Sequence, residues 1–187
     1  YLNEFDHGLL ALLQSERSPA LDSLMVLATR LGDFASQAAV AGLLVALLLL
    51  SRQWRAALFA GSALLFTALS NGALKHLLAR TRPEVLLDPL HSYSLPSGHS
   101  SAAFAFCLVL ALLAGRGQPP RWRLTWLLLA SLPASTIALS RVYLGVHWPT
   151  DILAGALLAS CWCALCMAVC ERQRPLPALA AKAWWLI

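Results

Sequence analysis

The stretch FASQAAVAGLLVALLLLS, Phe34 to Ser51, contains no charged side chain and no proline. A helix of about 20 apolar residues crosses the hydrocarbon of a bilayer. Similar apolar runs recur at 55–74, 98–114, 122–140 and 150–170, set apart by charged or Pro/Gly breaks. The composition agrees: 59% of the 187 residues are hydrophobic, 12% are charged, and the mean hydropathy is +0.66. A soluble domain is nearer 45–50% apolar. Within lipid only helices and closed barrels satisfy their own backbone, and no alternating pattern of about ten residues suggests barrel strands. The sequence therefore predicts an all-α, polytopic integral membrane bundle of about five to six transmembrane helices.

Working outward, residues 2–14 (LNEFDHGLLALLQ) and 19–31 (PALDSLMVLATRL) are apolar on one side and too short to span. They are read as interfacial or re-entrant helices with a bend at Ser18-Pro19. The organisation expected is an N-terminal piece over 1–33, a transmembrane core over 34–171 and a cytoplasmic tail over 172–187. The chain starts at Tyr1 without a cationic signal-peptide start, so a fused or associated membrane domain upstream of Tyr1 is part of the expectation.

Basic residues orient the bundle. Arg52, Arg55, Arg116, Arg121, Arg123, Arg172, Arg174 and Lys182 fall on one side, and Lys75, Arg80, Arg82, Arg141, Arg17 and Arg30 on the other. The first group is predicted cytoplasmic by the positive-inside rule. The net charge of +5 is accounted for by these flanks and their attraction to anionic headgroups. With no basic patch carrying interleaved aromatics, nucleic acid is not an expected partner.

Three segments converge on the second side: KHLLARTRP (Lys75–Pro83), PSGH (Pro96–His99) and SRVYLGVHWPTD (Ser140–Asp151). Lys75, Arg82 and Arg141 supply cations, and the arginine fork matches phosphate oxygens. Ser97 is placed to cap the third span, with Gly98 and His99 in its first turn, where free N–H groups favour an anion. Pro83 is expected to stop the Lys75 helix just after Arg82. Pro149 suits the first position of the fifth span. His147 then precedes that helix, and Asp151 reaches back to hold one ring nitrogen, leaving the other nucleophilic.

Taken together in this order, KxxxxxxRP, PSGH and SRxxxxxHxxxD resemble the three signatures of the type 2 phosphatidic acid phosphatase superfamily. The resemblance extends over most of residues 19–170, and the bacterial lipid-phosphatase branch fits the size. It implies a phosphohistidine mechanism that needs no metal or other cofactor. By position, His147 resembles the nucleophile, Asp151 its partner and His99 the acid that protonates the leaving oxygen. Lys75, Arg82, Ser97, Gly98 and Arg141 resemble the phosphate pocket. The implied protein is a bacterial inner-membrane, multi-pass enzyme that takes a lipid phosphate substrate from the bilayer, with its site facing the periplasm or exterior. Undecaprenyl diphosphate is the first substrate choice, followed by phosphatidylglycerophosphate and phosphatidate. A lipid phosphotransferase and a non-enzymatic lipid transporter or membrane assembly subunit are the alternatives.

Other polar groups have plainer readings. His76 and His91 match no signature and are read as structural or solvated. Tyr93, Tyr143 and Trp148 are read as interfacial anchors, and Asn71 as a hydrogen-bonding partner for another helix. Cys161, Cys163, Cys166 and Cys170 lie within one apolar span and cannot all converge on an ion, so they are read as small hydrophobes. Gly155, Ala159 and Cys163 form a small-residue ridge for close helix packing.

Overall fold

The computed structural model describes residues 1–83, 92–172 and 175–176. His91, Arg174 and Lys182, and nearly all of the tail expected over 172–187, lie outside the described residues. Among those described there are seven helices and no strand: α1 (Leu2–Ser15), α2 (Pro19–Leu31), α3 (Phe34–Leu50), α4 (Trp54–Leu78), α5 (Gly98–Ala114), α6 (Pro120–Tyr143) and α7 (Pro149–Glu171). The all-α polytopic architecture is the one expected. Local chemistry sets several boundaries. Ser18 caps α2 through its side chain, with Pro19 following, and Ser97 does the same for α5 by accepting from the Ser100 N–H. Prolines open α6 and α7, where their missing N–H costs nothing.

The spans are not equal. α4, α6 and α7 are each long and apolar enough to cross a membrane, whereas α2 and α3 pass that test only together, as a pair bent by 48°. α5 has 17 residues, about 26 Å at a rise of ~1.5 Å per residue, short of a hydrocarbon layer of about 30 Å. It packs against α3, α4, α6 and α7, so protein rather than lipid surrounds much of it. A helix shielded in this way need not match the bilayer. Lipid-type surface is plentiful elsewhere: Leu43, Leu58, Leu65, Leu128, Leu132 and Leu157 are all exposed.

The core forms where small residues let helices approach. Phe59, Ala60, Ala63, Val109 and Cys163 are buried in one cluster of α4, α5 and α7. Gly155, Ala159 and Cys163 are buried along α7, as the small-residue ridge predicts. A Cβ on Gly155 would lie 2.9 Å from Ser97 O and 3.0 Å from Ser101 N, so the α7 backbone sits directly on the start of α5. The cysteines of α7 differ in exposure: Cys161 is exposed, Cys163 and Cys166 are buried and Cys170 is half-buried. Asn71 reaches across from α4 to Ser101 Oγ of α5 at 3.0 Å, the interhelical role expected of it.

One aromatic reading needs correction. Tyr143 is 3% exposed; its hydroxyl donates to Asp22 at 2.7 Å and accepts from the Ser18 N–H at 3.3 Å. It locks α2 to α6 rather than anchoring at an interface. Trp148 donates to Thr81 O at 3.0 Å and lies under the Arg80 guanidinium, 5.5 Å from it. The Tyr143 hydroxyl thus finds its polar partners inside the fold, whereas Trp148 stays partly exposed at the end of the bundle.

Candidate active site

The up-and-down path of α4 to α7 brings the end of α4, the start of α5, the α6–α7 turn and the start of α7 to one end of the bundle. Ser97 N donates to Asp151 O at 3.0 Å, which pins the α5 start to α7. The arginine-rich turns meet at the other end, where Arg116 reaches Gln53 Oε1 at 3.4 Å and Arg55 donates to Cys170 O.

His147 is 2% exposed and Asp151 0%. His147 Nδ1 lies 3.3 Å from Asp151 Oδ2, and its Nε2 lies 3.2 Å from Arg82 Nη1. A carboxylate only accepts and a guanidinium only donates, so these partners assign the proton to Nδ1 and a lone pair to Nε2. Burial pushes His147 down to about 4, against the Asp151 hydrogen bond that raises it. At neutral pH the ring is therefore neutral, with a nucleophilic Nε2. Asp151 Oδ2 also accepts from the Trp148 N–H at 2.9 Å, which fixes the carboxylate against the turn.

Arg82 donates to Val146 O at 2.6 Å and to Ser92 O at 2.8 Å. Burial lowers its proton affinity, opposed by the charge of Asp151. Lys75 Nζ donates to Tyr93 O at 2.7 Å. Arg141 donates from Nη1 to Thr29 Oγ1 at 2.5 Å, and its buried Nε has no hydrogen-bond partner among the described residues. His99 Nε2 lies 3.0 Å from Asp33 Oδ1. The cluster thus combines a histidine held by a carboxylate, a second histidine and several cationic donors, which is the chemistry of in-line displacement at phosphorus. Among the described residues no three His, Cys, Asp or Glu side chains are grouped as they would be around a metal ion.

Pro83 does not end the Lys75 helix as expected. α4 stops at Leu78, and Ala79 takes a left-handed conformation with φ 45°. The early stop lets Arg80 and Arg82 leave the helix and reach the α6–α7 turn, contacts that compensate the strained Ala79.

Sequence reasoning missed four groups. Arg80, counted only as a site-side cation, donates to Asp151 Oδ1 at 2.8 Å and to Asp6 Oδ2 at 2.6 Å. Asp6 is 1% exposed, a burial that the reading of residues 2–14 as an interfacial or re-entrant helix did not anticipate. Thr29 and Asp33, from α2 and the α2–α3 corner, hold Arg141 and His99. A lone acid on the apolar face of α1 was the available signal, because a buried carboxylate requires a partner.

Fold and cluster together define a class: a multi-pass α-helical membrane protein with a buried histidine–carboxylate pair set among arginines at one end. The chain belongs to the PAP2 superfamily, which it matches over residues 56–175. It is 36% identical over 93 residues to an undecaprenyl-diphosphatase of Sulfolobus acidocaldarius, covering 46% of this chain but only 41% of that protein. It is 30% identical over 195 residues to a lipid A 1-phosphatase of Rhizobium etli, covering 91% and 80% of the two chains. The solved transmembrane PAP2-type phosphatidylglycerolphosphate phosphatase of Bacillus subtilis superposes with a TM-score of 0.81 at 26% identity, over 94% of this chain and 89% of that one.

Proposed function

We propose that this chain is a membrane lipid phosphatase working through a phosphohistidine. The observation that carries the reading is His147, buried and neutral, with Nδ1 on Asp151 and Nε2 facing Arg82. In the first step Nε2 bonds to phosphorus as the P–O bond to the lipid breaks, and His99 gives its proton to the departing oxygen. In the second, water attacks the N-phosphoryl group, His99 takes the water proton, and inorganic phosphate leaves with Nε2 restored. Lys75, Arg82, Arg141 and the α5 start at Ser97 and Gly98 hold the equatorial oxygens.

The lipid tail has a place of its own. A cavity of about 470 Å³ between α3, α4 and α5 is lined by Ala38, Ala41, Leu64, Ala68 and Phe106 and reaches Gly98 and His99. An apolar chain there leaves its phosphate at the cluster, so sideways entry from the bilayer suits the site. Undecaprenyl diphosphate is the favoured substrate, with phosphatidylglycerophosphate and phosphatidate next; the relatives named above support a lipid phosphate in general. Phosphate release from these lipids by the purified chain in detergent is the test. Turnover is expected to persist in EDTA and to be blocked by vanadate, whose five-coordinate form on Nε2 resembles the in-line transition state. Failure on every lipid, or loss in EDTA restored by a divalent ion, would overturn the reading.

We place the site on the outer side of a cell membrane of bacterial type, because Arg52, Arg55, Arg116, Arg121, Arg123 and Arg172 flank the opposite helix ends. With the native cysteines replaced, a cysteine at Tyr93 is expected to react with a membrane-impermeant maleimide in intact cells once any outer barrier is permeabilised. A cysteine at Arg121 should react only after lysis. The reverse pattern would put dephosphorylation in the cytoplasm.

A further inference from the structure

Asp6 is almost completely buried, and its oxygens take three donors. Oδ1 accepts from the Thr150 N–H at 2.8 Å, and Oδ2 accepts from Thr150 Oγ1 at 2.6 Å and Arg80 Nη2 at 2.6 Å. Arg80 turns its other nitrogen, Nη1, to Asp151 Oδ1 at 2.8 Å and Thr150 Oγ1 at 2.7 Å. Asp151 in turn holds His147. A continuous chain of charges therefore runs from α1 to the imidazole.

Anchoring α1 does not explain this chain. α1 is already seated by Leu10 and Leu13 against Ala138, Val142 and Ile152, and by Gln14 Nε2 donating to Tyr143 O at 2.6 Å. Buried ion pairs stabilise a fold weakly, because desolvation offsets most of their attraction, and an apolar pair would anchor as well. What the pair adds is electrostatic. Without Asp6, the charge of Arg80 is balanced by Asp151 alone. With Asp6 present, two carboxylates share one guanidinium, and the cluster keeps one net negative charge facing His147.

We propose that Asp6 and Arg80 are positioning residues for His147, with Asp6 balancing Arg80 so that Asp151 retains its charge for the histidine. The proposal rests on the phosphohistidine reading. As the Nε2–P bond forms and the P–O bond to the lipid breaks, the ring becomes cationic. The proton stays on Nδ1, donated to Asp151, and the leaving oxygen takes its proton from His99. A cluster with net negative charge stabilises that cationic ring. The groups facing His147 are Asp151 from α7, Arg82 from the 79–83 segment and Arg141 from α6. Asp6 itself faces Arg80 and Thr150, while its neighbour His7 packs edge-on against Trp148 at 4.7 Å.

The test is the pH profile of kcat/KM for the full chain in detergent, on whichever of undecaprenyl diphosphate or phosphatidylglycerophosphate it turns over. Removing a negative charge makes His147 harder to protonate. Asp6→Asn should therefore move the acid limb down by about half a pH unit and lower kcat by about 3-fold, the same loss of stabilisation of the cationic ring, with little change in KM. Removing the positive charge acts oppositely, so Arg80→Gln should move the limb up. The double variant Asp6→Asn/Arg80→Gln restores the net charge and should return the limb close to wild type. Folded protein is quantified for each variant by thermal unfolding. If Asp6→Asn fails to fold, the double variant against Arg80→Gln alone makes the same comparison of Asp6 with Asn in a background that lacks Arg80. Activity losses that only follow the folded fraction, with acid limbs coinciding, overturn the proposal while leaving the phosphatase reading in place. A folded wild-type chain that releases no phosphate overturns the phosphatase reading itself, and turnover that survives His147→Ala overturns the phosphohistidine step on which the proposal rests.

Discussion

His147→Ala is expected to lower phosphate release by about 10⁴-fold or more, since removing a nucleophile leaves only the binding and electrostatic contributions of the pocket. The loss will be chemical rather than structural. Asp151 keeps the Trp148 N–H at 2.9 Å and Arg80 Nη1 at 2.8 Å when the imidazole is gone, so no buried carboxylate is left unpartnered. Alanine creates no clash, and the α7 start is still tied to α5 through the Ser97 N–H. Wild type quenched during turnover of a ³²P-labelled lipid phosphate should carry label that is stable in base and labile in acid, the signature of a phosphohistidine. His147→Ala should carry none. Label that persists in the variant would move the nucleophile elsewhere and sink the assignment.

Arg141→Ala should be the next most damaging change, costing about 10³-fold in kcat, the lower end of what an arginine contributes to phosphoryl transfer. Arg141 leaves α6 at its last turn with Nη1 on Thr29 and a buried Nε that has no hydrogen-bond partner among the described residues. That leaves a directed N–H donor available to an equatorial phosphate oxygen, whose charge the pocket must offset. Arg141→Lys keeps the charge but loses the planar fork, so it should recover only part of the activity. Vanadate affinity is the companion measurement: it should fall in parallel with kcat, because the same donor serves the five-coordinate species. Loss of turnover with unchanged vanadate inhibition would place Arg141 outside the pocket.

The helices were legible because their causes are local. Apolar runs between charged breaks mark α3 to α7 within a few residues, and Ser97, Pro149 and Ser18-Pro19 mark helix starts through caps and ring geometry that need no partner. The His147–Asp151 contact was legible for the same reason: a residue just before a helix and one in its first turn are neighbours in any fold. The Lys75 helix shows where local reasoning stops. Its end at Leu78 rather than at Pro83 depends on where Arg80 and Arg82 find acceptors, and those lie on the α6–α7 turn and α1.

By itself, then, the sequence determined an all-α membrane bundle, the end of it that carries the three segments, and the contact of His147 with Asp151. Only the tertiary structure decided that α1 packs on α6 and α7 and lends Asp6 to Arg80, or that the α2–α3 corner sets Asp33 on His99. It also decided that α2 and α3 act as a bent pair and that α5 is shielded by its neighbours. The physical reason is range. Hydropathy and capping act within a helical turn, whereas a buried charge is settled by whichever opposite charge the packed helices bring to it, here 74 residues away along the chain.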